Sequence, residues 1–300
     1  MGAHIRRRRH DDFSYVETVE YKKYRKKYLQ FLRQEAPHLS AYSNLDVINN
    51  AELTYKNQQW FEERGVRPLP VWHYGSDVSW LDKYVAAGYD YICIGGMVPN
   101  PTTVLRPALD RLWRQHLTDV EGMPKVKVHG FAMTSFVLMY RYPWYSVDSK
   151  SWIDHARFGF ILVPPIKRDG SFDWIHPIRV GVSNFVVDKR NPKTHIRFMH
   201  PAARRMVMRY LDELEIPLGK STFHKEKDGY DLKKNEVWLR QPSDGKEGVV
   251  EEISEYGVST KYSFRMDANL CIYRKIEEVV PPWPWSIKRT LTKFREGILP

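Results

Sequence analysis

The stretch PLPVWHYGSDVSWLDKYVAAGYDYICIGG (Pro68–Gly96) carries two short apolar segments, Pro68–Gly75 and Tyr89–Gly96. Between them Val78–Ala87 has helical spacing and stops at Gly88. Strand, helix and strand joined by short links describe a parallel βα unit, because parallel strands need a crossover. The same rhythm continues outward in both directions. Upstream, AYSNLDVI (Ala41–Ile48) precedes a helical stretch, Ala51–Arg64, that ends at Gly65. Downstream come a helical stretch Thr103–Asp119, then KVKVHGF (Lys125–Phe131), a shorter connection Ser135–Tyr142, WYSVD (Trp144–Asp148) and FGFILVP (Phe158–Pro164). So many units predict an α/β fold, and favour a TIM-like (β/α) barrel over an open doubly wound sheet. The open nucleotide-binding alternative lacks a GxGxxG after its first strand.

The basic, tyrosine-rich segment Tyr15–Gln34 has helical spacing and fits an outer helix. Beyond about Pro165 the rhythm breaks. Residues 1–165 are therefore expected to form a partial barrel core that holds the site. Residues 166–300 are expected to hold the rest of the barrel and an irregular α+β extension. Pro201–Leu214 reads as a helix and Lys220–Lys246 as a polar surface excursion. In the tail VVPPWPWSIKR, Trp283 and Trp285 read as packing anchors, with Lys288 and Arg289 open to a nucleic-acid role.

With 300 residues and 42% hydrophobic content, the chain can bury a sizeable core. Mean hydropathy is -0.54 and the apolar runs are broken by charge or proline, so no membrane span is expected. No apolar stretch follows the basic opening MGAHIRRRRHDD, so a secretory signal is not expected either. A cytoplasmic location follows, that of a bacterial host if the chain is phage-encoded. Two distant cysteines, Cys93 and Cys271, exclude a disulfide framework and a cysteine-built zinc site. The net charge of +11 favours a polyanionic partner, and Arg6, Arg7, Arg8 and Arg9 form a block suited to phosphate.

In parallel barrels the active site lies at the C-terminal ends of the strands. Those ends read Asp46, His73, Gly95 with Gly96, His129 with Gly130, and Asp148. Singly, each has an ordinary explanation: a helix cap for either aspartate, a satisfied core histidine, a chain turn at glycine. Their shared position at the strand ends points to a site centred on Asp148. Two chemistries fit it. One is covalent catalysis by a carboxylate at a sugar carbon. The other is metal-assisted hydrolysis, with Asp46, His73, His129 and Asp148 as ligands.

The segments SNLDVI, TYKNQQWFEERGVRPLPVWHYG, YICIGGMVP, VKVHGF and YPWYSVDSKSW resemble the phage and bacterial branch of the tRNA-guanine transglycosylase superfamily. That branch includes enzymes that place 7-deazaguanine bases in DNA. The resemblance covers about residues 15–165, with a weaker echo in PPWPWSIKR. It implies a TIM-like barrel in which Asp148 attacks the anomeric carbon of a target guanosine, displaces guanine and forms a covalent glycosyl-enzyme. An incoming 7-deazaguanine, the co-substrate, then takes the sugar back. The resemblance also makes Asp46 the base-reading carboxylate. Gly95, Gly96 and Met97 become the backbone against the base, and His129 and Gly130 the strand end that covers it. His73 stands where the family usually has glutamine.

Two departures matter. The tRNA-acting enzymes hold zinc with three cysteines and a histidine, which this chain cannot supply, so the resemblance points to DNA and to no metal or cofactor. The opening Gly2-Ala3-His4 looks like the end of a DSGAH-type motif, which places His4 beside the base and the general-base aspartate before Met1. The alternatives are the same reaction on tRNA, a non-catalytic nucleic-acid-binding remnant, and the metal-dependent hydrolase.

Overall fold

The computed structural model describes residues 12–185 and 192–295. Two compact units emerge: residues 1–149 with 282–300, and residues 150–281. The division thus falls at Ser149/Lys150, upstream of position 165, and the tail rejoins the first unit.

In the first unit, α1 (Val19–Glu35) starts where Thr18 accepts a hydrogen bond from the Tyr21 N–H. Likewise α2 (Ala51–Glu62) starts where Asn50 accepts from the Leu53 N–H. It stops ahead of Gly65, whose φ of 75° suits a residue without a Cβ. Leu29 and Leu32 of α1 pack with Phe61 and Val66 in one buried cluster. Then β1 (Val71–His73), α3 (Ser79–Ala86), β2 (Tyr91–Gly95), α4 (Thr102–Leu112), β3 (Lys127–Gly130), α5 (Phe136–Arg141) and β4 (Ser146–Val147) follow in order. The four strands form one parallel sheet in the order β1-β2-β3-β4. Its centre is closed to water: Ile92, Cys93, Ile94 and Val128 have no exposed surface. Runs buried on both faces are what parallel strands require.

The helical stretch expected over Thr103–Asp119 divides. Beyond α4 the backbone opens into a π turn at Trp113–Leu117, which seats the buried Trp113 against Tyr142 and Trp144. The segment Ala41–Ile48 is no regular strand. It touches the sheet through one parallel bridge, Ser43 to Leu69. The last helix, α9 (Ile287–Arg295), follows Trp283 and Trp285. Trp285 is buried and Trp283 meets Tyr145 edge to face, so both tryptophans pack.

The second unit begins with α6 (Ser151–Arg157) and β5 (Phe160–Val163). Read with the parallel series, β5 instead pairs antiparallel with β6 (Ile178–Gly181). After α7 (Pro201–Glu213) come β7 (Lys220–Glu226), β8 (Glu236–Arg240) and β9 (Gly248–Glu255), an antiparallel sheet in the order β7-β9-β8. The extension therefore holds regular strands, and Lys220–Lys246, largely exposed as its polarity implies, supplies β7 and β8. Its strands escape sequence reading because β7 buries no residue and β8 buries only Glu236, so the apolar alternation of a half-buried strand is missing. Finally α8 (Tyr262–Val279) packs on α6 and β5. Its buried Asn269 accepts from the Leu162 N–H at 2.7 Å and donates to the carbonyls of Trp152 and Phe160.

Candidate active site

Register explains why distant residues meet. Val71, Cys93, His129 and Ser146 lie in one row across the sheet, and His73 pairs with Gly95 one step further on. Side chains alternate along a strand. Counting two past His129 and Ser146 therefore brings Phe131 and Asp148 to the same face as His73 and Gly95. Gly95 is the floor between them. A Cβ there would lie 3.0 Å from His73 Cδ2 and 3.6 Å from Phe131 Cδ2. Gly96 adopts φ of 72° and passes close to the Tyr74 backbone. Gly130 serves packing, since a Cβ would meet the Trp144 ring at 3.2 Å. Met97 is buried and its carbonyl accepts from the Asn100 N–H at 2.9 Å.

Asp148 sits just beyond β4. It is not a helix cap: the cap position of α6 is Lys150, which makes no side-chain cap bond. Its Oδ1 accepts from the Ala132 N–H at 2.8 Å, from a turn where Ala132 holds φ of 51°. His129 Nε2 lies 3.4 Å from the same oxygen. Among the described residues Oδ2 has no partner, and the side chain is 60% exposed.

Behind Asp148 runs a hydrogen-bonded chain. His129 Nδ1 is 2.6 Å from Ser146 Oγ, which also contacts the Tyr91 hydroxyl. Burial pushes the His129 imidazole below its ordinary value of 6.5, against the opposing pull of Asp148. Burial likewise raises Tyr91, so its phenol stays protonated. One proton arrangement satisfies all four groups: Tyr91 donates to Ser146, Ser146 donates to Nδ1, and the Nε2–H points at Asp148. The neutral imidazole is thus fixed in one tautomer. Ser146 precedes Asp148 by two residues in YSVDS, so strand alternation carries the signal for it. Tyr91 and the Ala132 N–H carry no comparable signal in the sequence.

The second carboxylate is built differently. Asp46 Oδ2 is 2.7 Å from His73 Nε2, and His73 is 4% exposed. Asp46 is no cap either, since Asn50 caps α2. Cys93 lies within reach of both carboxylate charges. Burial, reinforced by Asp46 and Asp148, pushes its thiol up to about 12, so it is neither nucleophile nor thiolate ligand near neutrality.

Asp46, His73, His129 and Asp148 pair off two by two. The ligand-distance cluster among the described residues is elsewhere, at His224, Glu236 and Glu252 of the second unit. There Lys233 Nζ is 3.3 Å from Glu236, which also accepts from the Tyr230 hydroxyl and the Lys233 N–H, so the buried carboxylate is already satisfied.

His4 and Arg6–Arg9 lie outside the described residues. Lys288 donates to the Val120 carbonyl at 2.7 Å, on the connection that enters β3 from its starting end, and Arg289 is exposed. No helix among the described residues is long and apolar enough to cross a membrane. Compared with known proteins, the chain matches no protein-family model, no curated protein and no solved structure.

Proposed function

We propose that this chain is a base-exchange transglycosylase that replaces guanine in DNA by a 7-deazaguanine through a covalent glycosyl-aspartate. The observation that carries the reading is Asp148 itself, tied through Oδ1 to the Ala132 N–H, with Oδ2 open among the described residues. A nucleophilic carboxylate needs one oxygen held for direction and the other open toward the sugar. The likeness of the strand-end segments to the transglycosylase superfamily supports the same assignment.

In the first step Oδ2 attacks the anomeric carbon. The C–N bond breaks with its electron pair leaving on guanine, which is released on protonation. In the second step a ring nitrogen of the 7-deazaguanine attacks the same carbon, gives its proton to solvent, and expels the carboxylate. Two displacements on opposite faces retain the anomeric configuration, and one glycosidic bond replaces another without ATP. Asp46, held by His73 through Oδ2, keeps Oδ1 for the N–H edge of a guanine-type base. The Gly95–Gly96 backbone supplies a flat floor beneath it. On this reading the four parallel strands are consecutive staves of a TIM-like barrel.

DNA is preferred over tRNA because Cys93 and Cys271 fall short of the three-cysteine zinc site of the tRNA-acting enzymes. The test is incubation of the chain with DNA or tRNA and labelled 7-deazaguanine, with trapping of the adduct in denaturing gels. Label in DNA together with an adduct lost in Asp148→Asn is the expected result. Label in tRNA alone moves the substrate. Label in neither polymer and no adduct overturns the enzyme reading in favour of a binding remnant.

A further inference from the structure

The second unit holds a cavity of about 260 Å³ that the proposed chemistry does not use. Three cations line it, Arg197, Arg204 and Lys220, together with the neutral donors Asn184, Ser221 and Ser259. Two carboxylates touch this group, and both are committed. Glu255 pairs with Lys220 at 2.7 Å, and the buried Glu251 accepts from Asn184 and Ser221, each at 2.7 Å. Arg197 donates to Asn184 Oδ1 and lies 5.5 Å over the Phe223 ring. The Arg204 guanidinium is exposed and makes no hydrogen bond or ion pair among the described residues. The cavity carries surplus positive charge and is smaller than the ~300–1,000 Å³ of typical small-molecule pockets. That suits one phosphate group with its waters rather than a whole nucleotide.

Exposed rings accompany the cations. Phe223 is 43% exposed and lies two residues beyond Ser221, on the same face of β7. Phe198 follows Arg197 and is 56% exposed, and Phe185 follows Asn184 and is 63% exposed. Large rings left in water beside an exposed guanidinium that makes no hydrogen bond or ion pair among the described residues are poorly explained by folding alone. Cations that follow a phosphate backbone, alternating with rings that stack bases, are the equipment of single-strand binding.

We propose that this face of the second unit binds single-stranded nucleic acid, with a backbone phosphate in the Arg197–Arg204–Lys220 pocket and a base stacked on Phe223. That the strand is DNA rests on the function proposed above; the pocket's preference for a single strand does not. The experiment measures anisotropy of a short labelled oligothymidylate with the whole chain, at salt from roughly 50 to 200 mM. Arg197→Ala with Arg204→Ala should weaken binding at least about tenfold, and flatten the log–log salt slope by about 0.7 for the one lost phosphate contact. The paired Arg→Lys exchange should restore the slope. Phe223→Ala should weaken binding about fivefold or more with the slope unchanged, as loss of stacking does. The assay reads binding with no base exchange, so failure of the catalytic reading leaves this result intact.

Unchanged affinity and slope in the double alanine variant overturn the proposal. So does a duplex of equal length that binds as tightly as the single strand and ignores Phe223→Ala. Inorganic phosphate that binds through the two arginines without displacing the oligonucleotide also overturns it, by making the pocket a free-anion site.

Discussion

Asp46–His73 and Asp148–His129 are the same two residue types at the same end of one sheet, yet they are built in opposite ways. The first pair is short, at 2.7 Å, and its histidine is buried. The second is long, at 3.4 Å, its aspartate is exposed, and its histidine is backed by Ser146 and Tyr91. A carboxylate clamped by a buried imidazole has a fixed direction, which is what reading a planar base requires. A carboxylate held through one oxygen and open at the other can form a bond. Residue identity does not separate the proposed roles; burial does, with the Asp46 side chain 35% exposed against 60% for Asp148.

The comparison breaks most sharply under matched substitution. Asp148→Asn removes the proposed nucleophile, and the proposed base exchange should fall by about 10⁴-fold or more while polymer binding stays within a few fold. Asp46→Ala should leave adduct formation detectable and act on base recognition. Loss of a charged hydrogen-bond acceptor should raise the KM for the incoming base by about 10- to 100-fold. Steady-state kinetics with varied base concentration separates the two. Equal loss of kcat in both variants would mean that both carboxylates act on the reacting atoms, and the division of roles would fail.

A smaller effect isolates the clamp. The Cβ of Gly95→Ala would lie 3.0 Å from His73 Cδ2 and 3.4 Å from Nε2. His73 is closely surrounded, so its ring must shift and the Asp46 bond must lengthen. We expect a destabilisation of about 1–2 kcal/mol with a severalfold rise in KM, and adduct formation through Asp148 almost unchanged. Thermal unfolding alongside the same kinetic assay checks both. A loss of adduct equal to the loss of base affinity would show that Gly95 serves the whole rim.

His73, His129 and Asp148 were legible because buried parallel strands end abruptly where polar residues begin. Apolar runs such as YICIG therefore mark their own ends in the sequence. Partners were less legible. Ser146 shares strand parity with Asp148 and was within reach of sequence reasoning. Tyr91 acts through a long side chain that reaches from β2 across β3 to Ser146, and Ala132 acts through its backbone, so neither identity announces its role. Asp46 was placed at a strand end, yet its segment keeps only the Ser43–Leu69 bridge, and its position depends on the His73 contact instead. In the second unit, β7 (Lys220–Glu226) and β8 (Glu236–Arg240) carry too many polar and exposed residues to show a strand face. The sheet there is fixed by backbone pairing to β9, which no side-chain period reports.

The remaining difference between the two pairs is how the second one titrates. Burial lowers the His129 pKa below its ordinary 6.5, only partly opposed by Asp148. A group whose folded value is depressed contributes stability above its unfolded value, and that contribution is lost as the pH falls through the folded value. Protonation would also put a hydrogen on Nδ1, displacing the Ser146 donor, and turn the His129–Asp148 contact into an ion pair that quiets the nucleophile. The rate of adduct formation should therefore decline on acidification below 6.5. Global unfolding cannot report this cleanly, because burial also lowers His155 and His195 in the second unit. The kinetic limb can. Glutamine at the position, His129→Gln, keeps an N–H toward Asp148 and an oxygen toward Ser146 but cannot take up a proton in this range. Its plateau rate should fall only severalfold, and the imidazole limb should vanish, leaving carboxylate titration alone at lower pH. An unchanged limb in His129→Gln would detach His129 from the nucleophile and make the Ala132 N–H its sole support.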